Sequence, residues 1–373
     1  MTARIDHIEV NAYRVPTDRP EGDGTLTWDA TTIVVVHAHA GLEVGLGYTY
    51  ADQATAKLIA TSLAGVVRGR SASAPRAAWA AMVAATRNLG RPGITSMAIA
   101  AVDLALWDLH ARLAGLPLAA LLGRVRDTVP IYGSGGFTTY DDEELTGQLR
   151  GWVDAGIPRV KMKVGHDPAD DPRRVRLARE AIGPDVELMV DANGAYDRKQ
   201  ALRLGERFAA DADICWFEEP VSSDDVDGLR LVRDRAPAGV HVAAGEYGYD
   251  AAYFARMLGA GAVDVAQADV TRCGGITELL AVDGLCHAAG IPLSLHCAPA
   301  VHAHPACALL ALRHLEDFHD HARLEAMLFE GVAPRRDGVL RPSGDRPGNG
   351  LTFRRDVAAP YCVTAGTRPG GPR

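Results

Sequence analysis

From residue 129 onward, short apolar runs rich in β-branched residues recur every two to three dozen positions, and helical spacing follows each one. The runs are Val129–Gly133, Arg159–Val164, Glu187–Val190, Ile214–Phe217, Val240–Ala244, Val263–Ala268, Pro292–Leu295 and His314–Phe318. Near-continuous hydrophobic strands that alternate with helices predict a parallel sheet covered on both faces. Eight such units within about 190 residues predict a sheet closed into a β/α barrel. The segment Ile276 to Ala289 reads as the seventh helix, because Gly290 and Pro292 follow it as stop signals.

The first part of the chain reads as α+β. Strands are expected over 4–15 and 31–39, and helices over 52–68, 73–87 and 93–114, the last apolar on most faces and so buried. Between the strands, Thr17 to Thr31 carries Pro20, Gly22, Gly24 and several polar residues, which predicts a mobile loop. The tail from 326 is rich in Gly, Pro and Arg, and either returns to the first part or frays.

The ends of the barrel runs carry the chemistry. In a β/α barrel the reacting groups sit at the C-terminal ends of the strands. Read in order, those ends are Lys161-Met162-Lys163, Asp191-Ala192-Asn193, Glu218-Glu219-Pro220, Gly245-Glu246, Gln267-Ala268-Asp269, His296 and Glu316-Asp317. A single acidic residue after a strand is often a helix cap. Capping does not account for two lysines and a histidine in the same register. Asp191, Glu218 and Glu246 come from three neighbouring strands and would repel one another without a cation between them. Hard oxygen donors of this kind suit Mg²⁺. Lys161 and Lys163, two apart on a strand, face the same way, and two adjacent ammonium groups are expected to depress one another's pKa so that one serves as a base. Only four of the 39 basic residues are lysines, so the choice of lysine here needs a reason, and arginine does not deprotonate. His296 follows the seventh run, and Asp269 ends the sixth, placed to orient the imidazole. Cys297, His302, His304 and Cys307 cluster nearby without the spacing of a structural zinc site. Gly133-Ser134-Gly135-Gly136 ends the first run, where it could approach a substrate closely, but does not match a dinucleotide fingerprint.

The remaining composition narrows the class of function. A net charge of −8 and the absence of a basic run argue against nucleic-acid or membrane-surface partners. The N-terminal residues lack the apolar core of a secretory signal. Six cysteines with no CxxC pair fit reduced, cytoplasmic thiols. A homo-oligomer acting on a small-molecule carboxylate is expected.

The Lys-x-Lys pair, the three acidic residues, the Asp–His pair and the glutamate of the eighth run, in this order, resemble the mandelate racemase subgroup of the enolase superfamily. The resemblance covers essentially the whole chain. It implies a modified TIM barrel of the (β/α)7β type over 126–325, an α+β capping domain over 1–125, and a C-terminal segment, 326–373, that returns to the cap. It further implies that Lys163 is a base on one face of the substrate with Lys161 beside the substrate carboxylate. His296, backed by Asp269, serves the other face. Asp191, Glu218 and Glu246 hold Mg²⁺, with Glu218 favoured over Glu219, and Glu316 hydrogen-bonds the substrate carboxylate. Asn193 lies near the metal or substrate. Trp28, with Arg19 and Asp23 in the loop 17–31, and Tyr48, in Gly47-Tyr48-Thr49-Tyr50, are expected to close over the mouth and touch substrate. The implied reaction is α-proton abstraction to an enediolate. Acid-sugar dehydration is common in the subgroup, so the resemblance favours dehydration of an acid sugar, with racemisation or epimerisation as the alternative; the residues fit either outcome. A Schiff-base aldolase would need one desolvated lysine and no carboxylate triad. A non-catalytic barrel would have lost a ligand or a base.

Overall fold

Three antiparallel strands begin the chain in the order β1 (His7–Gly22), β2 (Thr27–Ala40), β3 (Glu43–Tyr50). The computed structural model describes residues 3–363. Both predicted strands are present, and both run on into the stretch expected to be a mobile loop. Pairing continues through Val15–Thr31 and Pro16–Ala30, slips, and resumes at Glu21–Trp28 and Gly22–Thr27. Only Asp23 to Leu26 turns, and the turn is built by side-chain capping. Asp23 Oδ1 accepts the N–H groups of Thr25 (2.6 Å) and Leu26 (2.7 Å). The expected loop is therefore an ordered hairpin.

Strand β3 was not foreseen, since Gly45 and Gly47 weaken its strand signal. Their reason is packing. A Cβ at Gly45 would strike the carbonyl of Ala105, and one at Gly47 that of Ala101, both in the long helix behind the sheet. The cap helices are α1 (Gln53–Leu58), continued through a π turn into α2 (Ala64–Val67), then α3 (Pro75–Ala85), α4 (Ile94–Leu113) and the short α5 (Leu118–Leu121). By length and composition α4 could cross a membrane, but 78% of that window is buried within this fold.

Eight parallel strands follow: β4 (Val129–Gly135), β5 (Arg159–Lys163), β6 (Glu187–Asp191), β7 (Ile214–Glu218), β8 (His241–Ala244), β9 (Val265–Ala268), β10 (Leu293–Leu295) and β11 (Leu312–Phe318). They pair in sequence order, and β11 pairs with β4, so the barrel closes. Each predicted run lies on one strand. The helices after them are α6 (Asp142–Asp154), α7 (Asp171–Ile182), α8 (Arg198–Ala212), α9 (Val226–Arg235), α10 (Ala251–Gly259), α11 (Ile276–Ala289), α12 (Pro299–Ala306) and α13 (His319–Leu328). Helix α11 has the predicted bounds and ends on Gly290 at φ 67°.

Most of the core is the annulus between strands and helices. Inside the barrel, Tyr132, Met189, Trp216, Ala243 and Val265 fill the floor beneath the strand ends. The glycines ending β4 serve the annulus and not the mouth: Cβ atoms at Gly133 and Gly135 would meet Trp152 and Gln148 of α6. The tail returns to the cap, with Phe353 packed on Tyr13 and His37, Arg355 paired with Glu9, and Val363 N–H donating to Ala12 O (2.9 Å). Its last residues, 364–373, lie outside the described residues.

Candidate active site and metal centre

Strand register aligns the first row of the site. Lys163 lies opposite Asp191 on the neighbouring strand, and Asp191 lies opposite Glu218 on the next. Glu246 follows β8 after Gly245, whose φ of 132° brings the chain over the barrel end. Asp191, Glu218 and Glu246 each offer an oxygen within 4.8 Å of the others, and each is at most 3% exposed. Three buried carboxylates at this spacing need positive charge. Lys161 Nζ supplies part of it, 2.5 Å from Glu218 Oε1, 3.4 Å from Asp191 Oδ2 and 2.8 Å from Glu316 Oε1. Lys163 Nζ lies 2.5 Å from Asp191 Oδ2. Two further buried oxygens, Glu219 Oε1 and Asn193 Oδ1, have no hydrogen-bond partner among the described residues. An all-oxygen set of this charge fits a hard divalent cation.

Glu218 and Glu219 are separated by backbone. Glu218 is the last residue of β7, faces the barrel axis and accepts Trp216 Nε1–H (2.9 Å). Glu219 turns at φ 35° and is not one of the three converging carboxylates, although it is buried beside Glu246, whose charge, after burial itself, raises its carboxyl well above the ordinary range.

The expected depression of the lysines is not found. Burial works to lower Lys161, but Glu218 and Glu316 hold it well above its ordinary value; burial works to lower Lys163, but Asp191 raises it. The mutual effect of the two ammonium groups is present on Lys163 and is smaller than that of Asp191. Counting only the lysines left out the carboxylates facing them.

The opposite flank is His296, just past β10. Its Nδ1 is 2.9 Å from Asp269 Oδ2, which leaves Nε2 facing inward, 3.1 Å from Glu246 Oε2 and 3.7 Å from Glu316 Oε2. Burial would lower its pKa, but Cys297 and Glu246 hold it well above the ordinary value. Asp269 is oriented in turn by Thr271 N–H (2.7 Å). Glu316 Oε2 accepts Cys297 N–H (2.9 Å).

Of two further residues beside these groups, Arg272 was missed and Cys297 was singled out only within the cluster that lacks zinc-site spacing. Arg272 places Nη1 3.3 Å from Glu246 Oε1 and its guanidinium 5.3 Å from the Tyr247 ring centre. Cys297 Sγ lies 3.2 Å from His296 Nε2. Each sits a few residues past a strand end, and only tertiary contact distinguishes it from a loop residue. His302 and His304 bond to backbone: His302 Nε2 accepts Val270 N–H, and His304 Nδ1 accepts Ala119 N–H.

Of the three residues expected to touch substrate, two are near the mouth. Asn193 follows Asp191 and donates its N–H to Asp191 Oδ1 (2.9 Å). Trp28 packs edge-on against Phe137, in a cluster with Phe318 and Cys297, and its Nε1 donates to Glu21 Oε2 (2.8 Å). Tyr48 is placed otherwise. It is fully buried, and its hydroxyl donates to Glu325 Oε1 (2.6 Å) and accepts Val301 N–H (3.1 Å) while its ring stacks on Phe329, so it is committed to the segments after β10 and β11. Arg19 pairs with Glu144 on the surface and Asp23 caps its own turn, so neither is placed against the site groups.

The hairpin tip lies on the strand ends. Gly22 O accepts Thr138 N–H (2.8 Å) and Asp23 O accepts the Thr138 hydroxyl (2.7 Å). A Cβ at Gly24 would strike the carbonyls of Ala192 and Val164. Lys161, Lys163, Asp191, Glu218, Glu246, Asp269, His296 and Glu316 are all 5% exposed or less.

Comparison with known proteins agrees with this arrangement. Residues 7–123 match the mandelate racemase / muconate lactonizing enzyme N-terminal domain, and residues 144–357 match the enolase C-terminal domain-like family. A mandelate racemase/muconate lactonizing enzyme-like protein from Rubrobacter xylanophilus is 58% identical, covers 96% of this chain and 100% of its own, and superposes with a TM-score of 0.95. L-talarate/galactarate dehydratase from Salmonella typhimurium is 32% identical over 94% of this chain and 89% of its own length. Its crystal structure with Mg and L-lyxarohydroxamate superposes with a TM-score of 0.88 at 28% identity, covering 99% of this chain and 96% of that one. L-rhamnonate dehydratase from Saccharopolyspora erythraea is 36% identical over 71% of this chain and 67% of its own length.

Proposed function

Since the chain belongs to the mandelate racemase/muconate lactonizing enzyme family of the enolase superfamily, we propose that it dehydrates a sugar acid with Mg²⁺ held by Asp191, Glu218 and Glu246. The observation that carries this reading is the placement of Lys163 and His296 on opposite flanks of the three carboxylates, with Asp269 behind the histidine. The relatives named as dehydratases of talarate, galactarate and rhamnonate support the sugar-acid class.

A carbon acid beside a carboxylate is very weak, because its conjugate base piles charge onto that carboxylate. Magnesium bound at the triad would neutralise that developing charge and compete with the lysines for the carboxylates. With the charge of Asp191 engaged by the cation, Lys163 would lose the interaction that holds its proton, release that proton to solvent and, as the neutral amine, take the α-proton on its face, while Lys161 stays charged beside the substrate carboxylate. His296, kept protonated by its carboxylate neighbours, hands its Nε2 proton to the departing β-hydroxyl. The enol left behind tautomerises to a 2-keto-3-deoxy acid. Glu316 is held ionised by Lys161 despite its burial, so it must take up a proton if it is to donate to the substrate carboxylate. Six cysteines outside any disulfide, four of them buried, fit a reducing cytoplasm.

The test is a panel of mono- and diacid sugars incubated with Mg²⁺ in D₂O, assayed for 2-keto-3-deoxy product and for α-deuteration. A keto product from at least one sugar acid is expected. α-Deuteration with inversion and no keto product would make the protein an epimerase.

A further inference from the structure

The chain takes an unusual path immediately after His296. Cys297 and Ala298 have φ values of 50° and 44°, and neither is glycine. Two successive left-handed residues with Cβ atoms are strained, and such a turn persists only where its surroundings over-determine it. Here nearly every polar backbone group of the turn is held by a side chain from elsewhere. Cys297 N–H donates to Glu316 Oε2 (2.9 Å), and Ala298 N–H to His321 Nδ1 (3.3 Å). With Val270 N–H donating to His302 Nε2, His302 Nδ1 is left to donate to the carbonyls of Cys297 (2.9 Å) and Ala298 (3.1 Å).

The turn opens directly into α12, whose first N–H groups have no helical partner. Ala300 N–H donates to Glu325 Oε2 (2.8 Å), and Val301 N–H donates to the Tyr48 hydroxyl (3.1 Å). That hydroxyl donates in turn to Glu325 Oε1 (2.6 Å). The Tyr48 ring is fixed by Phe329, stacked at 4.9 Å, and by Tyr50 at 5.8 Å. Tyr48 belongs to the cap strand β3 and Glu325 to α13, so one hydrogen-bonded pair joins the cap to the segment that carries His296.

We propose that Tyr48 and Glu325 are positioning residues for His296: they fix the start of α12 and thereby hold the strained Cys297–Ala298 turn that aims the imidazole. This rests on the reading of His296 as the acid for the leaving hydroxyl. Burial pushes the Glu325 carboxyl up to about 7, while the Tyr48 hydroxyl and the Ala300 N–H that donate to it work to lower it.

The test uses full-length, Mg²⁺-loaded protein and three variants. Tyr48→Phe keeps the ring and removes the hydroxyl. Tyr50→Phe removes a hydroxyl that is 3.4 Å from Glu325 and does not bond to the turn. His296→Asn is the reference. In Tyr48→Phe, dehydration should fall at least tenfold while α-proton exchange on the Lys163 face stays within twofold, and Tyr50→Phe should leave both unchanged. Independently of turnover, the ¹⁵N resonances of the His296 ring, assigned by their loss in His296→Asn, should shift in Tyr48→Phe and stay in place in Tyr50→Phe. Unmoved His296 resonances in a folded Tyr48→Phe protein overturn the proposal. So does an equal loss of exchange and dehydration, which would make the pair a general anchor of the cap. If His296→Asn itself loses exchange while the resonances still move in Tyr48→Phe, the positioning stands and the two-base mechanism fails.

Discussion

His296 Nδ1 lies 2.9 Å from Asp269 Oδ2, and that bond leaves Nε2 as the only ring nitrogen that faces Glu246 and Glu316. Asp269 thus sets both the orientation of the ring and which nitrogen carries the mobile proton. Asp269→Asn keeps the shape, but its amide N–H favours the tautomer with the proton on Nε2 and loses the charge that supports the imidazolium. Dehydration should fall by roughly 10²–10⁴-fold, with α-proton exchange on the Lys163 face retained. A variant that exchanges no better than it dehydrates would remove the division of labour between the two flanks.

Metal dependence should separate two adjacent glutamates. Glu218 lies in the triad and Glu219 does not. Chelation with EDTA should abolish turnover and Mg²⁺ should restore it. Glu218→Gln should lose about 10²-fold or more in activity at saturating Mg²⁺, and Glu219→Gln clearly less. Steady-state rates across a Mg²⁺ titration decide the order, and the reverse order would exchange the two assignments.

Gly24 has no room for a side chain between the carbonyls of Ala192 and Val164. Gly24→Val should lift the hairpin tip from the strand ends and cut kcat/KM by about 10–100-fold, while thermal unfolding of the barrel changes little. Unchanged kinetics would mean that the tip can move without touching the chemistry.

Glu21 offers a pH test outside the metal site. Burial, then the charge of Asp320, pushes its carboxyl up to about 8. A carboxyl whose folded pKa is raised destabilises the fold where the unfolded chain would ionise it. That penalty is absent below about 4.5, its value in the unfolded chain, and grows as pH rises toward 8. Glu21→Gln removes the penalty and keeps an acceptor for Trp28. Its melting temperature should therefore gain on the parent protein between pH 5 and 8, and a constant difference across that range would show that Glu21 is ionised in the fold.

The barrel was legible because its strands announce themselves as β-branched runs, and because side chains of unlike type line up at their ends. Lys161, Lys163, Asp191, Glu218, Glu246, Asp269, His296 and Glu316 are brought together as that register implies. The cap was harder to read. Gly45 and Gly47 look like loop residues until α4 is placed behind them, and the stretch 17–31 looks mobile until its two halves are paired. Tyr48 failed for the same reason, since a tyrosine in a glycine-rich segment gives no sign of which surface buries it. The charge state of the lysines depended on distances to Asp191, Glu218 and Glu316, which no spacing along the chain contains.

The hairpin tip seated on the strand ends has a kinetic consequence. With each of those site groups 5% exposed or less, substrate can reach them only after a covering segment moves, and the tip, bonded to Thr138, is a segment seated on the strand ends. If the tip is the segment that moves, the frequency of its opening sets a ceiling on turnover, and turnover should then slow in viscous buffer. A site covered in this way would also keep bulk water from an enediolate formed there, so that protein groups alone would handle its proton.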